Sequence, residues 1–153
     1  MSAFILYADT CLTPHELIHH ACVLCRDGLL SAVGGRSAFS GLDEVPFICR
    51  PGCTIIPGLI DTHLHGGGAF DLLSLDEQPE IGNAVSRFLA EHGVTSFLPS
   101  IQGLTGERTL ALAARLASLC EAGDGLPGAV SAGIHFEGPF LNNSPDARGD
   151  IPL

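Results

Sequence analysis

Residues 57–68 read PGLIDTHLHGGG, an apolar run that closes on two histidines one residue apart and passes directly into three glycines. Pro57 has no amide hydrogen to give to a sheet, so a buried strand is expected to begin just after it and to run through Leu64. Side chains alternate along a strand, so His63 and His65 share one face and their imidazoles can converge on one divalent ion. Gly66, Gly67 and Gly68 then allow the chain to turn tightly and leave such a site accessible. A polar turn that happens to contain histidine is the competing reading, and seven histidines in 153 residues make chance pairs credible.

The sequence on either side decides between them. Ile81, Ala84, Val85, Phe88 and Leu89 recur with helical period, Gln78-Pro79 suits a first turn, and Gly93 suits the position past the end. Gly82 inside that helix costs about 1 kcal/mol relative to alanine. Val94–Leu98 reads as a second strand ending at Pro99. A second helix is expected after a Thr105 cap, with Glu107 in its first turn and Leu110, Ala113, Leu116, Ala117 and Cys120 as its apolar face. Gly123 and Asp124-Gly125 stop it. Ala129–Phe136 reads as a third strand, closed by Glu137-Gly138-Pro139. Strands alternating with helices at this spacing define an α/β fold with a parallel sheet covered by helices.

In such sheets, sites gather at the carboxyl ends of the strands. His63 and His65 occupy one such end and Glu137 another, so these three form the expected metal set for a divalent ion, and zinc, iron, cobalt and nickel all suit such ligands. Asp61, two residues before His63, could ligate or orient a neighbour. Water activation also needs a further ligand, an open coordination position and a general base. Asp61, Asp71 and Glu137 are the nearby carboxylates, and none is persuasive as that base, so no catalytic residue is identified within residues 1–153. His19-His20 is adjacent rather than alternating, so its two rings point to opposite faces and carry no metal expectation.

Residues 1–52 differ in character. The short apolar runs AFILY, HACVLC and LLSAV are punctuated by Arg26-Asp27-Gly28, and Asp-Gly between apolar runs signals a hairpin. This region reads as a small β unit, a β-sandwich portion, and residues 53–153 as the first β/α units of a barrel. Cys22 and Cys25 have metal-motif spacing but lie in a strand-like run, and Cys49 and Cys53 flank a turn. Buried or half-buried thiols in a reducing compartment, the cytoplasm, are the simpler reading. Seven Lys and Arg stand against 17 Asp and Glu, a formal charge of -10. That balance argues against nucleic-acid or anionic-membrane partners, which select a positive footprint. No stretch approaches the roughly 20 apolar residues of a membrane span, and the first residues lack the basic start of a signal peptide.

A closed eight-stranded barrel takes roughly 250 residues. The chain is therefore expected to be either an open three-stranded unit with a β appendage or, preferred, the front portion of a (β/α)8 barrel. An open unit would leave parallel edges and an apolar face bare.

PGLIDTHLHGGGAFD (57–71) resembles the first-strand metal motif of the amidohydrolase superfamily. Together with GVTSFLPS (93–100) and GIHFEGPFLN (133–142), it resembles the N-acetylglucosamine-6-phosphate deacetylase family, with the His-x-Glu-Gly-Pro-Phe-Leu stretch the more specific signal. The resemblance extends over essentially the whole chain and matches the front part of a family chain more than twice as long. It implies a metal-dependent (β/α)8 hydrolase with a small β domain built from both chain ends. It also implies hydrolysis of the acetamide of N-acetylglucosamine 6-phosphate to glucosamine 6-phosphate and acetate. Glu137 then corresponds to the family's metal-binding glutamate, and His63 and His65 to the His-x-His pair with which some members hold a second metal. The family's later metal histidines, catalytic aspartate and phosphate-binding groups have no counterpart here. A histidine that usually follows the Glu-Gly-Pro stretch is also missing from NSPDARGDIPL (143–153). The resemblance further implies a sugar-phosphate substrate and a homodimer for a full-length form, while the 153 residues alone are expected to hydrolyse nothing at a useful rate. Two other readings stay open: an amidohydrolase acting on a cyclic amide or a purine, and a non-catalytic interaction module using its sheet edge.

Overall fold

The structure is a computed structural model and describes residues 2–104, 106–138 and 144. The chain divides into two compact units, Met1–Pro57 and Gly58–Leu153.

In the first unit, β1 (Ala3–Leu12), β2 (Leu17–Arg26), β3 (Leu29–Gly35) and β4 (Phe47–Ile55) form one sheet in the order β3-β2-β1-β4. The hairpin expected at Asp27-Gly28 joins β2 to β3. Both of its central residues have positive φ, 49° and 80°, the combination that matches the twist of the flanking strands. β4 pairs parallel with β1 rather than extending the antiparallel meander. It runs to Ile55, so the division falls after Pro57 and the boundary read from sequence at residue 52 lies inside this strand. Ile5, Cys22 and Leu24 pack on one face under Phe39, Leu42 and Val45, while Cys11, Ala21 and Val23 pack on the other with Cys25 and Ile55. Cys22 and Cys25 thus belong to opposite faces and cannot close on one ion. All six cysteines are free.

The second unit is built on a parallel sheet. β5 (Leu59–Leu64) is followed by a two-residue hairpin, β6 (Gly66–Gly67) and β7 (Phe70–Asp71), and then by α1 (Ile81–Glu91). β8 (Val94–Gln102) leads to α2 (Gly106–Ala122), and β9 (Val130–Ser131) and β10 (His135–Glu137) close the described part. β8 is central, with β5 on one side and β9 and β10 on the other, all parallel to it. The core is Phe97, Ile101, Leu64 and Leu72 against Ile81, Val85 and Leu89 of α1 and Leu112 and Leu116 of α2. At roughly 1.5–3 kcal/mol for each fully buried aliphatic or aromatic side chain, this cluster is what fixes both helices on the sheet.

Three expectations change. β8 does not end at Pro99 but continues through Gln102. The proline is tolerated because the β5–β8 ladder is irregular between Asp61 and Leu64, where a missing amide hydrogen costs least. The third strand is split in two. Four chain steps separate Ser131 from His135 while three separate their β8 partners Phe97 and Ser100, so Ala132–Ile134 absorbs one extra residue as a bulge. On α2, Leu110 is 74% exposed and Ala117 also faces solvent, whereas Leu112 and Leu116 are buried. At 100° per residue, the true face runs through Leu112, Ala113, Leu116, Leu119 and Cys120, and Leu110 lies about 120° from the middle of it. The Thr105 cap and residues 139–143 and 145–153, including most of the tail after Asn142, lie outside the described residues. No helix among the described residues is long and apolar enough to cross a membrane.

Candidate metal centre

β8 acts as the ruler for the site. Its parallel pairing with β10 sets His135 beside Ser100 and Glu137 beside Gln102, while on its other side Leu64 pairs with Pro99. The strand ends carrying His65 and Glu137 therefore arrive at the same level on opposite sides of one strand.

The three side chains expected to form a metal set meet there. His63 Nε2 lies 3.2 Å from His65 Nε2 and 3.1 Å from Glu137 Oε2, and His65 Nε2 lies 3.2 Å from the same oxygen. Their donor atoms all fall within 4.8 Å of one another, the one such group of His, Cys, Asp or Glu among the described residues. His63 is 49% exposed, His65 35% and Glu137 24%, so the triangle opens to solvent on one side.

The protons say what this triangle requires. His65 Nδ1 is 3.2 Å from the Ser100 carbonyl, which can only accept, so Nδ1 carries the hydrogen. In a neutral ring, His65 Nε2 is then a lone pair, and it faces a carboxylate oxygen that is also an acceptor. His63 can supply at most one hydrogen at Nε2 to the three atoms. Two acceptors at 3.2 Å repel unless a positive charge lies between them, whether a proton or a cation. The chemistry of the set fits a divalent ion of the zinc type: two neutral imidazoles and one carboxylate. Bonds of about 2.0–2.1 Å in tetrahedral array put donors about 3.3–3.4 Å apart, within a few tenths of the observed edges.

The loop after His65 is more ordered in purpose than a permissive glycine run. Gly68 and Ala69, at φ 61° and 69°, form the tip of the β6–β7 hairpin, and the Phe88 ring of α1 packs over it. A Cβ at Gly67 would meet Phe88 Cε1 at 2.7 Å, so glycine is needed for this close approach. Leu72 N donates to the His65 carbonyl at 2.8 Å, tying the hairpin back to the end of β5.

The two aspartates serve the backbone. Asp61 Oδ1 accepts from His63 N at 3.1 Å, and Asp71 Oδ1 accepts from Leu73 N at 2.9 Å. Neither joins the donor triangle. His19 and His20 form no such group, and His20 Nδ1 instead meets the Tyr7 hydroxyl at 3.2 Å. His135 did not stand out in the sequence, yet its ring centroid lies 4.7 Å from that of His63 and its Nδ1 lies 3.0 Å from Ser100 Oγ. Its signal was the same one that marked His63 and His65: His135 and Glu137 are two apart on one strand.

Comparison with known proteins bears on the fold that carries these residues. No protein-family profile matches the chain. It is 33% identical over 148 residues to N-acetylgalactosamine-6-phosphate deacetylase of Escherichia coli, covering 97% of the chain and 36% of the relative. It is 31% identical over 157 residues to N-acetylglucosamine-6-phosphate deacetylase of Bacillus subtilis, covering 99% and 38%. The structure of N-acetyl-D-glucosamine-6-phosphate deacetylase from Mycobacterium smegmatis superposes with a TM-score of 0.73 at 29% identity, over 93% of this chain and 34% of that one. The chain is thus an α/β piece matching the N-terminal part of amidohydrolase-type deacetylases, enzymes with a TIM-barrel catalytic domain. Relatives by sequence and by structure carry the name N-acetylglucosamine-6-phosphate deacetylase, and it is the N-terminal portion of that family to which the chain corresponds. It spans a little over a third of the length of the curated relatives it matches.

Proposed function

We propose that His63, His65 and Glu137 hold a divalent metal, zinc first, in a hydrolase that removes the acetyl group from N-acetylglucosamine 6-phosphate. The observation that carries this reading is the convergence of two imidazole nitrogens and one carboxylate oxygen at 3.1–3.2 Å on strand ends of a deacetylase-like fold. The Ser100 carbonyl fixes the tautomer of His65 so that Nε2 points its lone pair into the site, and Glu137 supplies the negative charge that favours a cation there. A metal bound at such a site supplies Lewis acidity toward an amide carbonyl and makes water a stronger nucleophile near neutral pH. Asp61 and Asp71 accept backbone N–H groups and stand outside the donor triangle, so neither is assigned the proton-moving role. The same reading places the protein in the cytoplasm, with a sugar phosphate as substrate and a homodimer as the full-length form.

The sugar itself has a second reading, because the relative at 33% identity is named for the galactosamine epimer. Acetate release by the full-length protein from the N-acetylglucosamine and N-acetylgalactosamine 6-phosphates, each supplied separately, decides between them. Faster turnover of the glucosamine compound supports the primary assignment, and faster turnover of its epimer supports the second. Release from neither, with metal bound, rejects both.

A further inference from the structure

Ser100 is 1% exposed and lies near the carboxyl end of β8, the strand between the two that lead to the candidate ligands. A buried hydroxyl demands a partner, and this one finds His135 Nδ1 at 3.0 Å. The carbonyl of the same residue takes the Nδ1 hydrogen of His65 at 3.2 Å. His135, so held, lays its ring against His63 at a centroid separation of 4.7 Å and an interplanar angle of 48°. Two contacts from one buried residue thus reach both strand-end imidazoles, one directly and one through a neighbouring ring.

We propose that Ser100 and His135 are positioning residues: the Ser100 hydroxyl clamps the His135 ring against His63 while the Ser100 carbonyl orients His65. The proposal deepens the metal-site reading and rests on it for its functional meaning. The geometry explains why a serine occupies a place in the strand interior where an aliphatic side chain would pack more cheaply. It also gives the imidazole of His63, nearly half exposed, a ring to rest against on its inner side. Partners of this kind commonly change metal affinity by about 10–100-fold when removed.

The test compares Ser100→Ala, His135→Phe and the double variant in the full-length protein, with Ser86→Ala as control. Ser86 is equally buried, but its hydroxyl donates to the Ala129 carbonyl, away from the histidines. Two readouts are taken: imidazole nitrogen NMR signals of the metal-free protein, and cobalt(II) titration followed by its visible spectrum. Ser100→Ala leaves the Ser100 carbonyl in place, and His135→Phe keeps a ring but loses the bond. Each is expected to shift the His63 signals and to weaken cobalt binding by about tenfold or more. The double variant is expected to be no worse than either single, since both break one linkage. Unchanged His63 signals in Ser100→Ala overturn the proposal, as do equal shifts in Ser86→Ala or additive losses in the double variant. Failure of the unsubstituted protein to bind cobalt rejects the metal-site reading instead, while the metal-free spectra still decide the positioning role.

Discussion

Gly66→Ala separates steric conflict from ordinary backbone strain at the hinge beside His65. Gly66 has φ +153°, a conformation that L residues rarely adopt. A Cβ there would fall inside the van der Waals envelope of the Phe70 carbonyl oxygen, with the Phe70 carbonyl carbon at 3.0 Å and Asp71 Cα at 3.1 Å. All three are backbone atoms, so nothing can rotate away. Backbone strain of about 1–3 kcal/mol and overpacking of about 1–3 kcal/mol together give a loss near 4 kcal/mol. With a urea dependence of about 2 kcal/mol per molar for a chain of this size, the unfolding midpoint of the Gly58–Leu153 unit should fall by about 2 M. Gly93→Ala is the control: φ is +82°, but no atom lies within 4 Å of the added carbon. Strain alone, about 1–2 kcal/mol, should move its midpoint by less than about 1 M. Equal shifts for the two variants would refute the steric reasoning and the hairpin pairing of Gly66 with Asp71 from which it comes.

Further outcomes follow from packing and titration. Leu112→Ala should cost about 2–5 kcal/mol, whereas Leu110→Ala should stay within about 0.5 kcal/mol, as urea unfolding of each would measure. The reverse order would restore the helix face read from sequence. Burial pushes the Cys11 and Cys22 thiols above their ordinary value of 9.0, so the unfolded chain loses these protons first. Their contribution to stability is complete below the ordinary thiol value and should be lost as pH rises through the raised folded values, a dependence that Cys11→Ala/Cys22→Ala should flatten. In native protein, an alkylating reagent should modify exposed Cys49 and Cys53 well before buried Cys22, and mass spectrometry after brief labelling checks the order.

The features legible in the sequence were those governed by local rules. Period-two alternation placed His63 and His65 together, Asp27-Gly28 marked a true hairpin, and period 3.6 found α1 with Gly93 past its end. What escaped was set by neighbours distant in the chain. Leu110 and Leu112 are equally apolar, and only the sheet beneath α2 decides which one turns inward. Pro99 reads as a stop, yet an irregular ladder with β5 lets β8 continue through it. The bulge at Ala132–Ile134 depends on registering two segments against one strand. His135 carried a local signal in its two-residue spacing from Glu137, but its contact with Ser100, thirty-five residues earlier in the chain, was not legible.

The central claim is that two imidazoles and one carboxylate hold a cation. Calorimetric titration of zinc into metal-stripped full-length protein, with and without the paired substitutions His63→Ala and His65→Ala, tests it most directly. The account predicts that the double variant loses one bound ion per chain relative to the unsubstituted protein while remaining folded by circular dichroism. Identical stoichiometry and affinity in the two proteins would contradict it.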